Sequence, residues 1–161
     1  MVKILSSITF GVTPFVVWLF KKLSSFGLEP THGSKDAAGY DLKSAIEKPI
    51  QIKSEETVVI PTDLAIVIPK GYFGAVFPRS GLSTKKGLRL ANCVGVIDSD
   101  YRGNIQVPLY NDSNKSQVVE PAERIAQLVL IPYQPIRKFI EVNDLGETER
   151  GSNGFGSTGN K

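Results

Sequence analysis

From Pro49 to Phe77 the chain alternates short apolar runs with turn residues. Ile50–Ile52, Thr57–Ile60, Leu64–Ile68 and Tyr72–Phe77 are of strand length and rich in β-branched or aromatic side chains, and Pro49, Pro61, Pro69, Lys70-Gly71 and Pro78 fall between them. The pattern returns in Ile105–Tyr110, Arg124–Ile131 and Ile136–Val142, with a first strand expected over Phe15–Leu23 and a short one entered through Ala37–Leu42. No long segment keeps a helical period. These runs predict an all-β fold, a distorted jelly-roll or β-clip barrel, with one short helix over Ser80–Lys86 that Ser80 would cap and Gly87 would end. Along Arg124–Ile131 the two-residue period sets Ile125, Gln127, Val129 and Ile131 on one face. Gln127 is then the sole polar member of an apolar row and needs a partner, either a backbone group or a ligand.

The ends depart from this pattern. Ile4 to Phe20 carries no charge and is flanked by Lys3, Lys21 and Lys22, as a signal or membrane segment would be. The run sits at the bottom of the spanning range, is diluted by Ser6, Ser7, Thr9, Gly11, Thr13 and Pro14, and lacks a small-residue cleavage site after it. Residues 1–18 therefore read as a leader or appended extension rather than a membrane span. Residues 19–145 form the β domain, and 146–161 a Gly-rich arm.

At 161 residues the chain fits one domain with a sizeable core. Its formal net charge of +3 is spread without a block of like charges, which gives no indication of nucleic-acid binding. One cysteine, Cys93, excludes an intrachain disulfide, and with a single histidine the usual zinc sets are out of reach. A metal here would be a hard ion held by oxygen, and magnesium fits. His32 lies in a polar loop and reads as solvated.

The densest chemistry lies between Asn92 and Gly103. Asp98 follows the β-branched Val96 and Ile97, so it is expected to leave the end of a buried strand, where a general base would be fixed in water-poor surroundings. Gly95 and Gly103 allow a sharp turn or close approach of a ligand. A tight turn in which Asp98, Ser99 and Asp100 cap backbone N–H groups is equally open at this point. Arg79, Ser80 and free N–H groups at the helix start make an anion site or a capped surface turn. In the tail, Phe155 stands among glycines with Arg150, Ser157 and Thr158 nearby; disorder and a lid ordering over a nucleotide are both compatible with that composition.

Five segments in order resemble the motifs of the trimeric dUTP pyrophosphatase (dUTPase) family: Ala38-Gly39-Tyr40-Asp41-Leu42, Pro78-Arg79-Ser80-Gly81-Leu82, Asn92 to Gly103, Glu123-Arg124-Ile125-Ala126-Gln127-Leu128, and Arg150 to Gly159. The resemblance covers Leu19 to the C-terminus and implies a homotrimer hydrolysing dUTP to dUMP and pyrophosphate with Mg2+, at sites shared between subunits. It implies that Asp98 activates the attacking water and that Tyr101 lies against the deoxyribose. Asn92, with Gly95, Val96 and Ile97, would read uracil, and Arg79, Ser80, Gly81 and Gln127 would hold phosphates. Asp41 would act through the metal's water shell. From the tail, Phe155 and Gly156 would cover the base while Arg150, Ser157 and Thr158 clamp the terminal phosphates.

Two other functions compete. A dCTP deaminase of the same superfamily would need an acid serving the pyrimidine ring, against which Ile97-Asp98-Ser99-Asp100-Tyr101 follows the dUTPase pattern. A non-catalytic nucleotide-sensing module would engage a protein partner. The expected location is cytoplasmic, or nuclear or organellar in a eukaryote.

Overall fold

The computed structural model describes residues 18–136 and 138–154. The remainder of the leader, and the lid residues Phe155, Gly156, Ser157 and Thr158, lie outside them. Twelve strands and one helix follow in order: β1 Leu19–Lys22, β2 Thr31–His32, β3 Tyr40–Lys43, β4 Ile50–Ile52, β5 Thr57–Pro61, β6 Leu64–Val67, β7 Tyr72–Phe77, α1 Ser80–Lys86, β8 Leu88–Leu90, β9 Gly95–Ile97, β10 Gln106–Asn111, β11 Gln117–Val119 and β12 Arg124–Pro132. They form a jelly roll with a five-stranded sheet, β2-β3-β12-β7-β9, a three-stranded sheet, β5-β10-β8, and the pairs β11-β4 and β1-β6. Every strand pair is antiparallel.

One core joins all four sheets. Leu42, Ile52, Ile60, Leu64, Leu88, Leu109, Ile125 and Leu128 are fully buried and belong to a single cluster. In β10 the pleat delivers Val107, Leu109 and Asn111 inward and leaves Gln106 outside. Asn111, though polar, is satisfied: its amide donates to the carbonyls of Ile52 and Lys115, and its oxygen accepts from the N–H and hydroxyl of Ser113.

Three sequence expectations change. In β12 a register shift between Arg124 and Ala126 buries Ile125 and Ala126 together and separates Ile125 from Gln127, Val129 and Ile131, which stay on one half-buried face away from the core. Within Ile136–Val142 the described residues, Ile136 and Lys138–Val142, form no strand and show no backbone pairing, and Ile136, Phe139, Ile140 and Val142 stand 71%, 87%, 71% and 54% exposed. The first strand, within the described residues, is only Leu19–Lys22, with Trp18 tilted on Tyr40 at 5.1 Å and packed on the core. Among the described residues no helix is long and apolar enough to cross a membrane.

Helix α1 has the expected bounds but a different cap. Arg79, extended at φ −91° and ψ 130°, occupies the N-cap position without a side-chain capping bond, which places Ser80 in the first turn. Gly87 ends the helix at φ +67°, with its N–H turned back onto the last carbonyls, and Lys85 and Lys86 complement the helix dipole. A Cβ on Gly87 would lie 2.9 Å from the Ser113 Cβ, whereas one on Gly71, also left-handed at φ +84°, would meet nothing. Gly87→Ala is therefore expected to cost more than the ~1–2 kcal/mol of left-handed strain that Gly71→Ala incurs, as read by urea denaturation. Equal costs would show that the Ser113 contact gives way freely.

Candidate active site

Antiparallel pairing of β7 with β9 builds the first cleft. Val76 stands opposite Gly95 and Gly74 opposite Ile97, and the hairpin leads into β9 through a tight turn in which Cys93 takes φ +62° and the Val94 N–H reaches the Asn92 carbonyl at 2.6 Å. Gly95 is required by close approach, since a Cβ there would sit 3.2 Å from the Val76 Cβ and 3.6 Å from the Asn92 amide nitrogen. Beside β9 lies a cleft of about 110 Å³ lined by Asn92, Gly95, Val96, Ile97, Leu90 and Pro108 among others. Adjoining it, with Val96, Ile97 and Gln106 in common, a cleft of about 260 Å³ is lined by Val96, Ile97, Asp98, Tyr101, Asn104, Ile105 and Gln106.

Asp98 and Tyr101 thus share a wall, as the sequence implied, but Asp98 is exposed in the single chain. The reason is that β9 is the edge of its sheet, with β7 its only neighbour, and Val96 is 62% exposed. The turn after β9 is stiffened internally. The Tyr101 N–H donates to the Asp98 carbonyl at 3.2 Å, and the Arg102 guanidinium donates to the Ser99 and Tyr101 carbonyls at 2.8 and 2.7 Å. The Tyr101 hydroxyl donates to the Asn104 carbonyl at 2.9 Å.

A separate corner gathers the phosphate candidates. A cleft of about 190 Å³ is lined by Gly33, Ala37, Gly39, Asp41, Arg79, Ser80, Gly81 and Gln127. Opposite register pairs Gln127 with both Asp41 of β3 and Phe77 of β7, which brings the start of α1 beside β3. The Gln127 amide donates to the Pro78 carbonyl at 3.0 Å, the backbone partner that was one of its two options, while its oxygen lies on the Gly39 side, 3.3 Å from where a Cβ would be. Among the described residues the Ser80 hydroxyl has no hydrogen-bond partner, and Ser80 and Gly81 are exposed at the helix start.

The Asp41 carboxylate, only 9% exposed, is bracketed by two arginines: Arg79 Nε donates to one oxygen at 2.8 Å and Arg124 Nη1 to the other at 3.2 Å. Two cations on one buried anion leave this corner with a net positive charge suited to an anionic ligand. Arg124 lies in the fourth of the family-like motifs but was given no role of its own there, and the pairing that brings it to Asp41 spans 83 residues. Asn104 and Gln106 were likewise missed, although they follow the hairpin closely. Arg150 is exposed and donates to the Asn153 carbonyl at 3.0 Å, apart from both clefts.

The Asp98 cleft and the guanidinium-lined corner stand toward opposite ends of β7. Asp98 follows the residue opposite Gly74, whereas Arg79 lies beyond Phe77, a separation of roughly 20 Å along extended chain. A jelly roll with an acid-bearing edge hairpin and a guanidinium-lined corner defines the class of protein.

Comparison with known proteins narrows it. The model of the dUTPase family matches residues 28–159. The deoxyuridine 5'-triphosphate nucleotidohydrolases of Fusobacterium nucleatum and Rickettsia felis are 44% and 46% identical to the chain over 140 residues, covering 86% of it and 95% and 94% of themselves. The Staphylococcus bacteriophage 80alpha dUTPase with dUpNHpp superposes with a TM-score of 0.78 at 33% identity, over 89% of this chain and 98% of its own. A mutant dUTPase from S. aureus phage phi11, described for its coordination of a structural Mg(II) ion, gives a TM-score of 0.74 at 25% identity, over 82% and 100% of the two chains. The chain belongs to the dUTPase family.

Asp41→Asn preserves the shape at the corner but not the charge that both guanidiniums share. It is expected to lower stability by about 1–3 kcal/mol in urea denaturation, short of a fully buried pair because Arg124 is half exposed. An unchanged midpoint would mean that the arginines stand without it.

Proposed function

We propose that the chain hydrolyses dUTP to dUMP and pyrophosphate, which limits uracil incorporation into DNA and supplies dUMP for thymidylate synthesis. The observation that carries this reading is the hairpin after β7: one short strand sets Asn92 on one cleft, and Asp98 with Tyr101 on the next. Uracil enters between Asn92 and the backbone of Gly95, Val96 and Ile97, where a cytosine would leave donors and acceptors mismatched and a thymine methyl would collide. Tyr101 lies on the deoxyribose and leaves no room for a 2′-hydroxyl. Asp98 takes a proton from a water that attacks the α-phosphorus; the new P–O bond forms there as the bond to the bridging oxygen breaks and pyrophosphate leaves.

Arg79, Ser80, Gly81 and Gln127 hold the phosphates. Neighbouring phosphates share one oxygen, so the distant hairpin and corner of one chain do not serve the same nucleotide. Three copies in a ring, each lending its corner to another's hairpin, satisfy both halves. The exposed Phe139, Ile140 and Leu145 are in keeping with burial against another copy.

Among the described residues no three carboxylate, histidine or cysteine side chains cluster as a metal cage. Magnesium suits such a donor set, since it keeps its waters and takes substrate phosphates with one carboxylate nearby. Asp41 would face that water shell while its oxygens also accept from Arg79 and Arg124, and the bound ion would neutralise charge on the leaving pyrophosphate. Residues 19–145 are the catalytic domain, 146–161 the arm with Phe155 and Gly156 over the base and Arg150, Ser157 and Thr158 on the phosphates, and 1–18 an extension outside the reaction. A cytoplasmic location follows if that extension carries no address.

Incubation with dUTP, dCTP, dTTP and UTP, with products resolved by ion exchange, is expected to yield dUMP and pyrophosphate from dUTP alone and to require magnesium. Deamination of dCTP, or binding of dUTP without turnover, would replace this reading with one of its competitors. Asp98→Asn should lower kcat by about 10²–10⁴-fold while a non-hydrolysable dUTP analogue still binds. Removal of Arg150–Lys161 should abolish most turnover with the oligomer intact; collapse of the oligomer would make the arm structural.

A further inference from the structure

Asp63 forms the two-residue connection between β5 and β6 with Thr62, and it is one of four non-glycine residues in the described chain with a positive φ, here +50°. Aspartate tolerates the left-handed region better than most side chains, but it is kept there only where its surroundings fix it. They do so on two sides. From the β1–β2 connection the Leu23 N–H donates to the Asp63 carbonyl at 2.8 Å and the Ser24 hydroxyl donates to Oδ2, while a Cβ on Gly27 would press 2.5 Å from that carbonyl. From the hairpin the Asn104 amide donates to Oδ1 at 2.7 Å.

Asn104 is also what Tyr101 leans on. The Tyr101 hydroxyl donates to the Asn104 carbonyl, and its ring folds so closely over Gly103 that a Cβ there would lie 2.4 Å from the hydroxyl oxygen. Immediately after, the Ile105 N–H donates to the Leu64 carbonyl at 2.8 Å, and the Thr62 N–H and hydroxyl both donate to the Ile105 carbonyl at 3.1 and 2.7 Å. The far end of the hairpin is therefore bolted to residues 62–64, and among the described residues the side-chain link from that bolt to the residue holding Tyr101 runs from Asp63 to Asn104.

We propose that Asp63 is a positioning residue for sugar selection: through Asn104 it fixes the ring of Tyr101 against the site of the 2′ position. This rests on the reading of Tyr101 as the deoxyribose wall. Asp63 touches no substrate. Its effect is to keep the phenol from yielding to the extra hydroxyl of a ribonucleotide, which a ring free to swing would admit.

The test is the ratio of kcat/KM for dUTP over UTP in the full chain, because partial unfolding lowers both values together and leaves the ratio unmoved. Asp63→Gly suits the positive φ and removes both side-chain bonds; it is expected to cut the ratio about five- to tenfold, the size of one lost hydrogen bond. Asn104→Ala removes the same link from the other side while keeping the carbonyl that holds Tyr101, and it carries the test if Asp63→Gly does not fold. The double variant should be no less selective than the worse single one. Asp63→Asn, which can still accept from Asn104 and donate to Ser24, should restore the parent ratio. A parent-like ratio in both Asp63→Gly and Asn104→Ala would overturn the proposal with the reading of Tyr101 intact. A parent that already turns over dUTP and UTP alike would overturn that reading, and the proposal with it.

Discussion

The antiparallel pairing of β7 with β9 on one side and β12 on the other fixes where the Asp98 hairpin and the guanidinium-lined corner stand. The first ladder carries the hairpin with Asp98 and Tyr101 along one end of β7. The second brings Gln127 and, beyond it, Asp41 beside the start of α1 at the other end. Because a strand is stiff and extended, the two groups cannot be drawn together within one chain without breaking the sheet that presents them. That separation is why the proposed site draws on more than one chain.

The guanidinium-lined corner and the hairpin are held by different physics. At the corner, a buried carboxylate takes up two cations and so aligns Arg79 without cancelling the positive field there. At the hairpin there is little buried charge, and order comes from backbone carbonyls that Tyr101, Arg102 and Thr62 occupy one by one. A rigid hairpin beside an exposed carboxylate suits a base that must meet a water, since positioning contributes much of the acceleration in phosphoryl transfer.

What the sequence made legible was local. Strands Ile50–Ile52 and Tyr72–Phe77 and helix Ser80–Lys86 stand where their apolar period and glycine stop put them. The hairpin residues from Asn92 to Tyr101 are neighbours in sequence and so remain neighbours in space. Misreadings came where partners decide. A bulge turned Gln127 off the core face, an edge position exposed Asp98, and the described residues of Ile136–Val142, strand-like in composition, pair with no strand. Ser80 could not be told from a cap because Arg79, whose side chain offers no acceptor, took that position through its backbone alone. The role of Arg124, though it stands in a quoted motif, and that of Asp63 could not be read locally, as their contacts to Asp41 and Asn104 cross 83 and 41 residues.

In the proposed assembly a working site takes its base from one chain and its phosphate corner from another. Mixing Asp98→Asn and Arg79→Ala chains, each inactive alone, by joint unfolding and refolding tests it most directly. Sites that draw an intact hairpin from one variant and an intact corner from the other should recover dUTP turnover in the mixture. A mixture as inactive as its two components, with mixed oligomers verified by mass, would place both halves of the site in a single chain and contradict the account.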